Sequence, residues 1–225
     1  MKRIIRSVSR WRRGDLLAAT AVVVAVGMIV TAGVGLRQPS ASPTVAAVAA
    51  DESVPHDLAG NTVQVDGPAP APSASATPDG VGRFSAPSVG LDVPLGAVSV
   101  VDDVLQPPGF TSAYWVRNLG VAPAVASTGT VFVVMHSLRG GGVGPGNALI
   151  DVADGRARIA DGADIAVAGV HYRVDRSEAL AKTAIGGEAD VWADTPGRLV
   201  VITCLQRPDG RPSTENMVIE ATRTT

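Results

Sequence analysis

Short apolar runs separated by turn residues dominate the chain from residue 83 onward. Blocks rich in Val, Ile, Leu and Ala are bounded by Gly, Pro or Asp, which is typical of short β-strands. A long stretch with the 3.6-residue period of an amphipathic helix is absent from the pattern. The runs predict eight strands: 83–86, 91–97, 101–106, 130–136, 164–167, 171–174, 198–204 and 216–222.

Eight short strands within residues 83–225 indicate an all-β domain, a single closed or nearly closed β-barrel. Turn signals separate the strands, among them Pro107-Pro108-Gly109 and Pro196-Gly197. Short helical turns are expected over 113–118 and 148–153. The glycine run 140–146 is expected to form a flexible loop.

The N-terminal region has the charge pattern of a membrane anchor. Residues 1–13 contain six basic side chains and no acidic one, and residues 16–36 contain no charge. Twenty-one residues of helix are about 30 Å long, one hydrocarbon thickness. The positive flank predicts a cytoplasmic tail (1–15) and a single-pass anchor in the lipid of the cell membrane (16–36), with the rest of the chain extracellular. A signal peptide cleaved near 41–43 is the alternative, although its apolar core would be unusually long.

Residues 37–82 are rich in Ala, Pro and Ser and poor in large apolar side chains. Such a segment buries too little apolar surface to offset the entropy of ordering. We therefore expect an extended extracellular linker in which His56 is solvated.

The charge balance and the cysteine count exclude several functions. Beyond residue 13 there are 13 basic and 21 acidic side chains, a formal charge of −8. An acidic domain is a poor nucleic-acid binder, because phosphate contacts require a cationic face. One cysteine cannot form an internal disulfide or the usual cysteine-rich zinc and haem sites, so no cofactor and no metal are predicted.

The only cysteine, Cys204, ends the apolar run 199–204, and His136 ends the run 131–136. Each strand thus delivers a reactive side chain at its C-terminal end, which requires the two strands to be neighbours running in the same direction. A thiolate is the attacking species in cysteine catalysis, and an imidazole moves the proton. A free thiol outside the membrane is a liability unless it is buried or used, which favours a catalytic role.

Several segments together resemble the sortases, the cysteine transpeptidases of Gram-positive cell surfaces. Residues 83–95 are similar to the opening strand pair of that family, and 130–137 to its histidine strand, with Met135 where a glycine is usual. Ile202-Thr203-Cys204 matches the end of the family's Leu-x-Thr-Cys signature. The arrangement is most similar to the actinobacterial classes E and F.

This resemblance implies an eight-stranded barrel with a Cys-His-Arg active site. His136 and Cys204 take the first two roles. The arginine is expected where this chain has Thr214, and the nearest candidates are Arg211 and Arg207, of which Arg211 is closer to the expected position. The implied reaction cleaves a Leu-Pro-x-Thr-Gly-like sorting signal of a surface protein through a Cys thioester. The acyl group passes to a cell-wall peptide or pilin amine.

Two alternatives remain at this point. The absence of arginine at Thr214 favours a catalytically inactive sortase-fold module that binds or scaffolds at the surface. An L,D-transpeptidase also uses cysteine outside the membrane. That family places Ser-His-Gly directly before its cysteine, whereas this chain has Val201-Ile202-Thr203.

Overall fold

A computed structural model describes residues 55–63 and 82–224. The expected tail and anchor, and most of the expected linker, lie outside these residues. Within the described part, no helix is both long and apolar enough to cross a membrane. The strands are β1 (Arg83–Ala86), β2 (Leu91–Val98), β3 (Ala113–Gly120), β4 (Val131–Val134), β5 (Ile150–Asp151), β6 (Arg156–Ala157), β7 (Asp164–Val167), β8 (Val170–Ala181), β9 (Arg198–Leu205) and β10 (Glu215–Arg223). The α-helix is α1 (Ala189–Trp192), and 3₁₀ turns span Pro87–Val89, Pro123–Thr128, Pro145–Ala148 and Ile185–Gly187.

Eight of these strands close into a barrel in the order β1-β2-β3-β4-β9-β10-β8-β7, and β5 and β6 form a separate hairpin. The expected eight-stranded closed barrel is confirmed, with β3 in place of the strand expected over 101–106. Most neighbours are antiparallel, but β2 pairs with β3 and β4 pairs with β9 in parallel. Closure pairs β1 with β7, so the barrel has no free sheet edge.

Side-chain alternation divides the apolar residues into two clusters on opposite faces of the barrel wall. The interior cluster draws on all eight barrel strands, with Leu95, Val133, Val201 and Ile219 among its members. The second, the outer cluster, lies on the outer face of β2, β3, β4, β9 and β10 beneath α1. It consists of Val98, Tyr114, Val116, Phe132, Val134, Val191, Val200, Ile202 and Val218. Because successive side chains of a strand point to opposite faces, β4 and β9 have buried apolar side chains on both faces.

Two predicted elements are wrong. Residues 113–118, expected as a helical turn, lie within β3, because Tyr114, Trp115 and Val116 suit a pleated surface buried on both sides. The strand expected over 101–106 is a tight turn closed by one bridge between Val101 and Val104. Asp102 and Asp103 adopt positive φ there, a conformation that short polar side chains tolerate.

Smaller differences occur along β8 and before β5. The helical turn expected over 148–153 is a 3₁₀ turn over Pro145–Ala148 followed by the short strand β5. The strand expected over 171–174 extends to Ala181, because β10 pairs with it along nearly its whole length. Cross-strand pairing, rather than local composition, therefore sets the length of β8.

Gly120 shows where backbone conformation constrains the barrel wall. It has φ +64°, and a Cβ added there would lie 2.0 Å from the carbonyl oxygen of Thr130. We expect Gly120→Ala to lower the free energy of unfolding by about 2–4 kcal/mol, since left-handed strain and overpacking add. Urea denaturation of the full chain measures this loss.

Gly155→Ala is the matched control, because Gly155 has φ +62° and a Cβ added there would meet no atom within 4 Å. That change should cost about 1–2 kcal/mol from backbone strain alone. Equal losses in the two variants would show that the close approach to Thr130 does not constrain the wall.

Candidate active site

The parallel pairing of β4 with β9 places the two reactive side chains at the same end of the barrel. Val134 pairs with Ile202, and the Met135 amide donates to the Ile202 carbonyl at 3.2 Å. His136 and Cys204 each lie two residues beyond that pair. The expectation that these strands are neighbours running in the same direction is confirmed.

Alternation also places both side chains on the same face. Val134 and Ile202 belong to the outer cluster, so the residues two positions later, His136 and Cys204, emerge on the outer face at the strand ends. Both are partly exposed. Met135, one residue before His136, points to the opposite face and is buried in the interior cluster. The thiol and the imidazole are therefore offered to the same side of the barrel wall.

The loop before β3 holds the imidazole of His136. Its Nε2 lies 2.8 Å from the Pro107 carbonyl oxygen, and the Phe110 ring stacks on it at a centroid distance of 4.7 Å. Because a carbonyl only accepts hydrogen bonds, we assign the proton to Nε2, which leaves Nδ1 available for proton exchange. Burial lowers the pKa of His136 from its usual 6.5. A neutral imidazole at neutral pH can accept a thiol proton.

Two buried polar side chains join the segments that follow His136 and Cys204. The Ser137 hydroxyl donates to the Cys204 carbonyl at 2.5 Å. Gln206 Nε2 donates to the Ser137 carbonyl at 2.9 Å and to its hydroxyl at 3.0 Å. Sequence patterns alone do not identify this contact, since Ser and Gln are ordinary surface residues.

The second half of the glycine run is more tightly held than a flexible loop. The Gly146 amide donates to the His136 carbonyl at 2.8 Å. The Asn147 side chain accepts from the Leu138 amide at 2.7 Å and donates to the Leu138 carbonyl at 2.9 Å. A Cβ on Gly146 would lie 2.0 Å from the Thr203 hydroxyl oxygen. The Pro-Gly-Asn turn signal in the sequence was the available clue to this contact.

Part of the expected linker packs beside this loop. The Asp57 carboxylate accepts from the amides of Val143, Ala59 and Asn61 at 2.8–2.9 Å, and the Leu58 amide donates to the Val143 carbonyl. The Asp57 side chain is buried, whereas His56 is exposed. Residues 55–63 are thus a turn docked on residue 143, rather than an extended spacer, because one carboxylate satisfies several amides.

The two arginines proposed for the site both bind Asp209. Arg207 donates from Nε and Nη2 to this carboxylate at 3.1 and 2.7 Å, and Arg211 Nε lies 3.1 Å from it. The Arg207 hydrogen bonds are the main cause of a lowered pKa at Asp209. In residues 82–224, no hydrogen bond joins either guanidinium to His136 or Cys204. The assignment of Arg211 or Arg207 to catalysis stays a prediction.

The described residues include no group of three or more His, Cys, Asp or Glu side chains placed to hold a metal ion. One free thiol, Cys204, is present in that part of the chain. The arrangement of His136 and Cys204 suits nucleophilic attack followed by proton transfer.

Comparison with known proteins finds similarity in solved structures only. No protein-family profile matches the chain, and no curated protein matches it. Listeria monocytogenes sortase A is 17% identical with a TM-score of 0.46, and the match covers 64% of this chain and 87% of that one. A lid mutant of Corynebacterium diphtheriae sortase A has 15% identity and a TM-score of 0.46 over 67% and 73%. A Clostridium perfringens sortase D5 transpeptidase has 11% and 0.44 over 65% and 80%. Similarity this low does not transfer an activity, so function is argued from the site residues.

The hydrogen bond between Ser137 and Cys204 predicts a buried contribution to stability. Ser137→Ala leaves the Cys204 carbonyl and the Gln206 amide without this partner, so we expect a loss of about 1–3 kcal/mol in the free energy of unfolding. Urea denaturation measures it. Ser213→Ala is the control, because its hydroxyl bonds the Glu215 carbonyl at an exposed position. An equal, small effect in both variants would contradict a buried clamp.

Hydrogen bonds to Asp57 lower its pKa from 3.8 to about 2. The docked turn is therefore stabilised fully above pH 3.8, and this contribution is lost as pH falls toward 2. We expect the Val143 amide resonance in NMR spectra to titrate with an apparent pKa near 2 in the wild type. In Asp57→Asn that transition should be absent. A midpoint at or above 3.8 would show that the carboxylate does not hold the turn in solution.

Proposed function

We propose that this chain is a sortase-type cysteine transpeptidase in which Cys204 is the nucleophile and His136 the acid and base. One observation carries the proposal: the parallel register of β4 and β9 presents both side chains at one end of the barrel and on one face of its wall. The Ser137 hydroxyl then ties the two strand ends together. A core cysteine and a structural histidine would not require this shared position.

The reaction follows from the two side chains. The Cys204 sulfur, having lost its proton to His136, attacks a peptide carbonyl carbon, and the carbonyl electrons move to oxygen. Collapse of this tetrahedral adduct breaks the C–N bond, and His136 protonates the departing amine. An incoming amine then attacks the thioester, loses a proton to His136 and releases the thiol of Cys204.

The substrate we propose is a Leu-Pro-x-Thr-Gly-like sorting signal of a surface protein. Support comes from the family resemblance of residues 202–204, which end at the proposed nucleophile. The acceptor we propose is a cell-wall peptide or a pilin amine.

The location we propose is the outer surface of a Gram-positive cell membrane. The basic tail (1–15), the uncharged segment 16–36 and the Pro/Ala-rich linker support it at the level of sequence. Class E or F membership rests on the same sequence resemblance.

The second candidate is a sortase-fold binding module without activity. The pairing of both Arg207 and Arg211 with Asp209, and Thr214 where an arginine is expected, favour it. Without a cation near the reacting carbonyl, the tetrahedral oxyanion would lack the stabilisation that a guanidinium supplies.

Incubation of the full chain in detergent with a library of Leu-x-x-Thr-Gly/Ala peptides and an amine acceptor tests the two candidates. We expect mass spectrometry to find an acyl adduct on Cys204 and an amine-linked product. Cys204→Ala should abolish both. His136→Gln should lower kcat by about 10²–10⁴, since it removes acid–base catalysis.

His171→Gln is the matched control, because this exposed histidine lies on β8 away from the Cys204 strand end. It should leave the rate unchanged. Binding of peptides without any adduct, together with inertness of Cys204 toward a peptide vinyl sulfone, would favour the inactive module.

A further inference from the structure

A positive charge can stabilise the tetrahedral oxyanion of the proposed reaction, and the two arginines proposed from the sequence are bound elsewhere. Arg207 and Arg211 share the carboxylate of Asp209, and their side chains are 37% and 74% exposed. Arg139, three residues after His136, donates to the Gly210 carbonyl at 3.3 Å. Thr214 occupies the place where the resemblance expects arginine, and a neighbouring strand of the sheet offers another cation.

The strand register leads to Lys182. Cys204 pairs with Asn216 across β9 and β10, and Asn216 pairs with Leu180 across β10 and β8. These three residues form one row, and neighbouring strands are separated by about 4.8 Å. The row therefore brings the end of β8 to about 10 Å from the nucleophile at the backbone.

Lys182 is the first residue after β8, two positions beyond Leu180 and at the start of a turn. Its amide donates to the Thr214 carbonyl at 2.9 Å, which continues the pairing of β8 with the segment before β10. Leu180, two residues earlier, packs against the outer cluster. Because alternate residues share a face, the Lys182 side chain projects from the side that carries Cys204 and His136. A lysine side chain is long enough to reach toward the reacting carbonyl from this position.

The charge on Lys182 is not neutralised by a neighbouring carboxylate. Within residues 55–63 and 82–224, the side chain is exposed and forms no ion pair, in contrast to Arg207 and Arg211. Its charge acts on the site. Burial is the largest influence on the pKa of His136 and lowers it, and the hydrogen bond to the Pro107 carbonyl raises it. The Lys182 charge lowers this pKa further. The sequence contains two lysines, Lys2 and Lys182, against seventeen arginines.

We propose that Lys182 is the cation that stabilises the oxyanion formed when Cys204 attacks, in the place that Thr214 leaves without an arginine. This inference rests on the proposed function. The ammonium stays protonated throughout: the carbonyl electrons move to oxygen on attack, the ammonium offsets that charge, and collapse restores the carbonyl as the amine leaves. A lysine acts here as a compact point charge on a flexible stem, whereas arginine would offer a two-pronged contact.

Kinetics of the full chain with a cleaved sorting peptide test the proposal. Lys182→Met keeps the length of the side chain and removes the charge. We expect kcat to fall about 10²-fold with little change in KM, because the charge acts on the transition state. Lys182→Arg should retain most of the activity. Arg156→Met is the matched control, since Arg156 is an exposed cation on the separate β6 hairpin, paired with Asp154.

The arginine variants decide between the possible cations. Full kcat in Lys182→Met, combined with a large loss in Arg211→Ala or Arg207→Ala, would overturn the proposal and assign the oxyanion to an arginine. Full activity in all three would overturn the proposal and exclude both arginines as the source of the charge. Loss in Lys182→Met that Lys182→Arg does not rescue would indicate a structural role instead.

A second readout separates this inference from the proposed function. NMR titration of His136, assigned with His136→Gln, should show a higher pKa in Lys182→Met than in the wild type, and no change in Arg156→Met. If no peptide is cleaved but this shift occurs, the proposed reaction fails while Lys182 is still placed at the site. An unchanged His136 titration overturns the inference even if the chain proves to be a transpeptidase.

Discussion

The parallel pairing of β4 with β9 is the constraint on which the site depends. In an antiparallel pair, the C-terminal ends of the two strands would lie at opposite ends of the barrel, and His136 would be far from Cys204. The register matters equally, because a slip of one residue would turn one side chain into the barrel interior. Close packing of side chains of different shape on both faces, together with the Met135–Ile202 and Ser137–Cys204 hydrogen bonds, holds this register.

The strand ends are then held by polar contacts rather than by further apolar packing. A sheet that ends leaves backbone groups that need partners. Ser137 and Gln206 supply partners between the two ends, and the Pro145–Ala148 turn supplies another to the His136 carbonyl. These contacts satisfy several backbone groups at the strand ends, whereas the buried Thr203 Oγ1 and Gln206 Oε1 have no hydrogen-bond partner among the described residues. The same division between scaffold and reactive group recurs in enzymes that hold a site on rigid elements.

Charge is distributed by local pairing as well as by composition. Residues 14–225 are acidic overall, yet individual cations differ in what they can do. Arg176 and Arg198 share Glu220 at the far end of the outer face, and Arg207 shares Asp209 with Arg211. Two guanidinium groups on one carboxylate keep a net charge of +1, so the effect of each cation on the strand ends depends on its distance from them and on screening by solvent.

The sequence by itself determined the barrel class, the bounds of most strands and the placement of His136 and Cys204 at strand ends. Those features follow from period-two patterning and β-branched runs, which are local. It misjudged residues 113–118 and 101–106, where strand propensity and turn chemistry compete over a few positions. Only the tertiary structure decided which groups surround the candidate site, including Phe110, Ser137 and Gln206. These residues meet the site through pairings between distant strands and loops, and no periodicity in the sequence records such contacts.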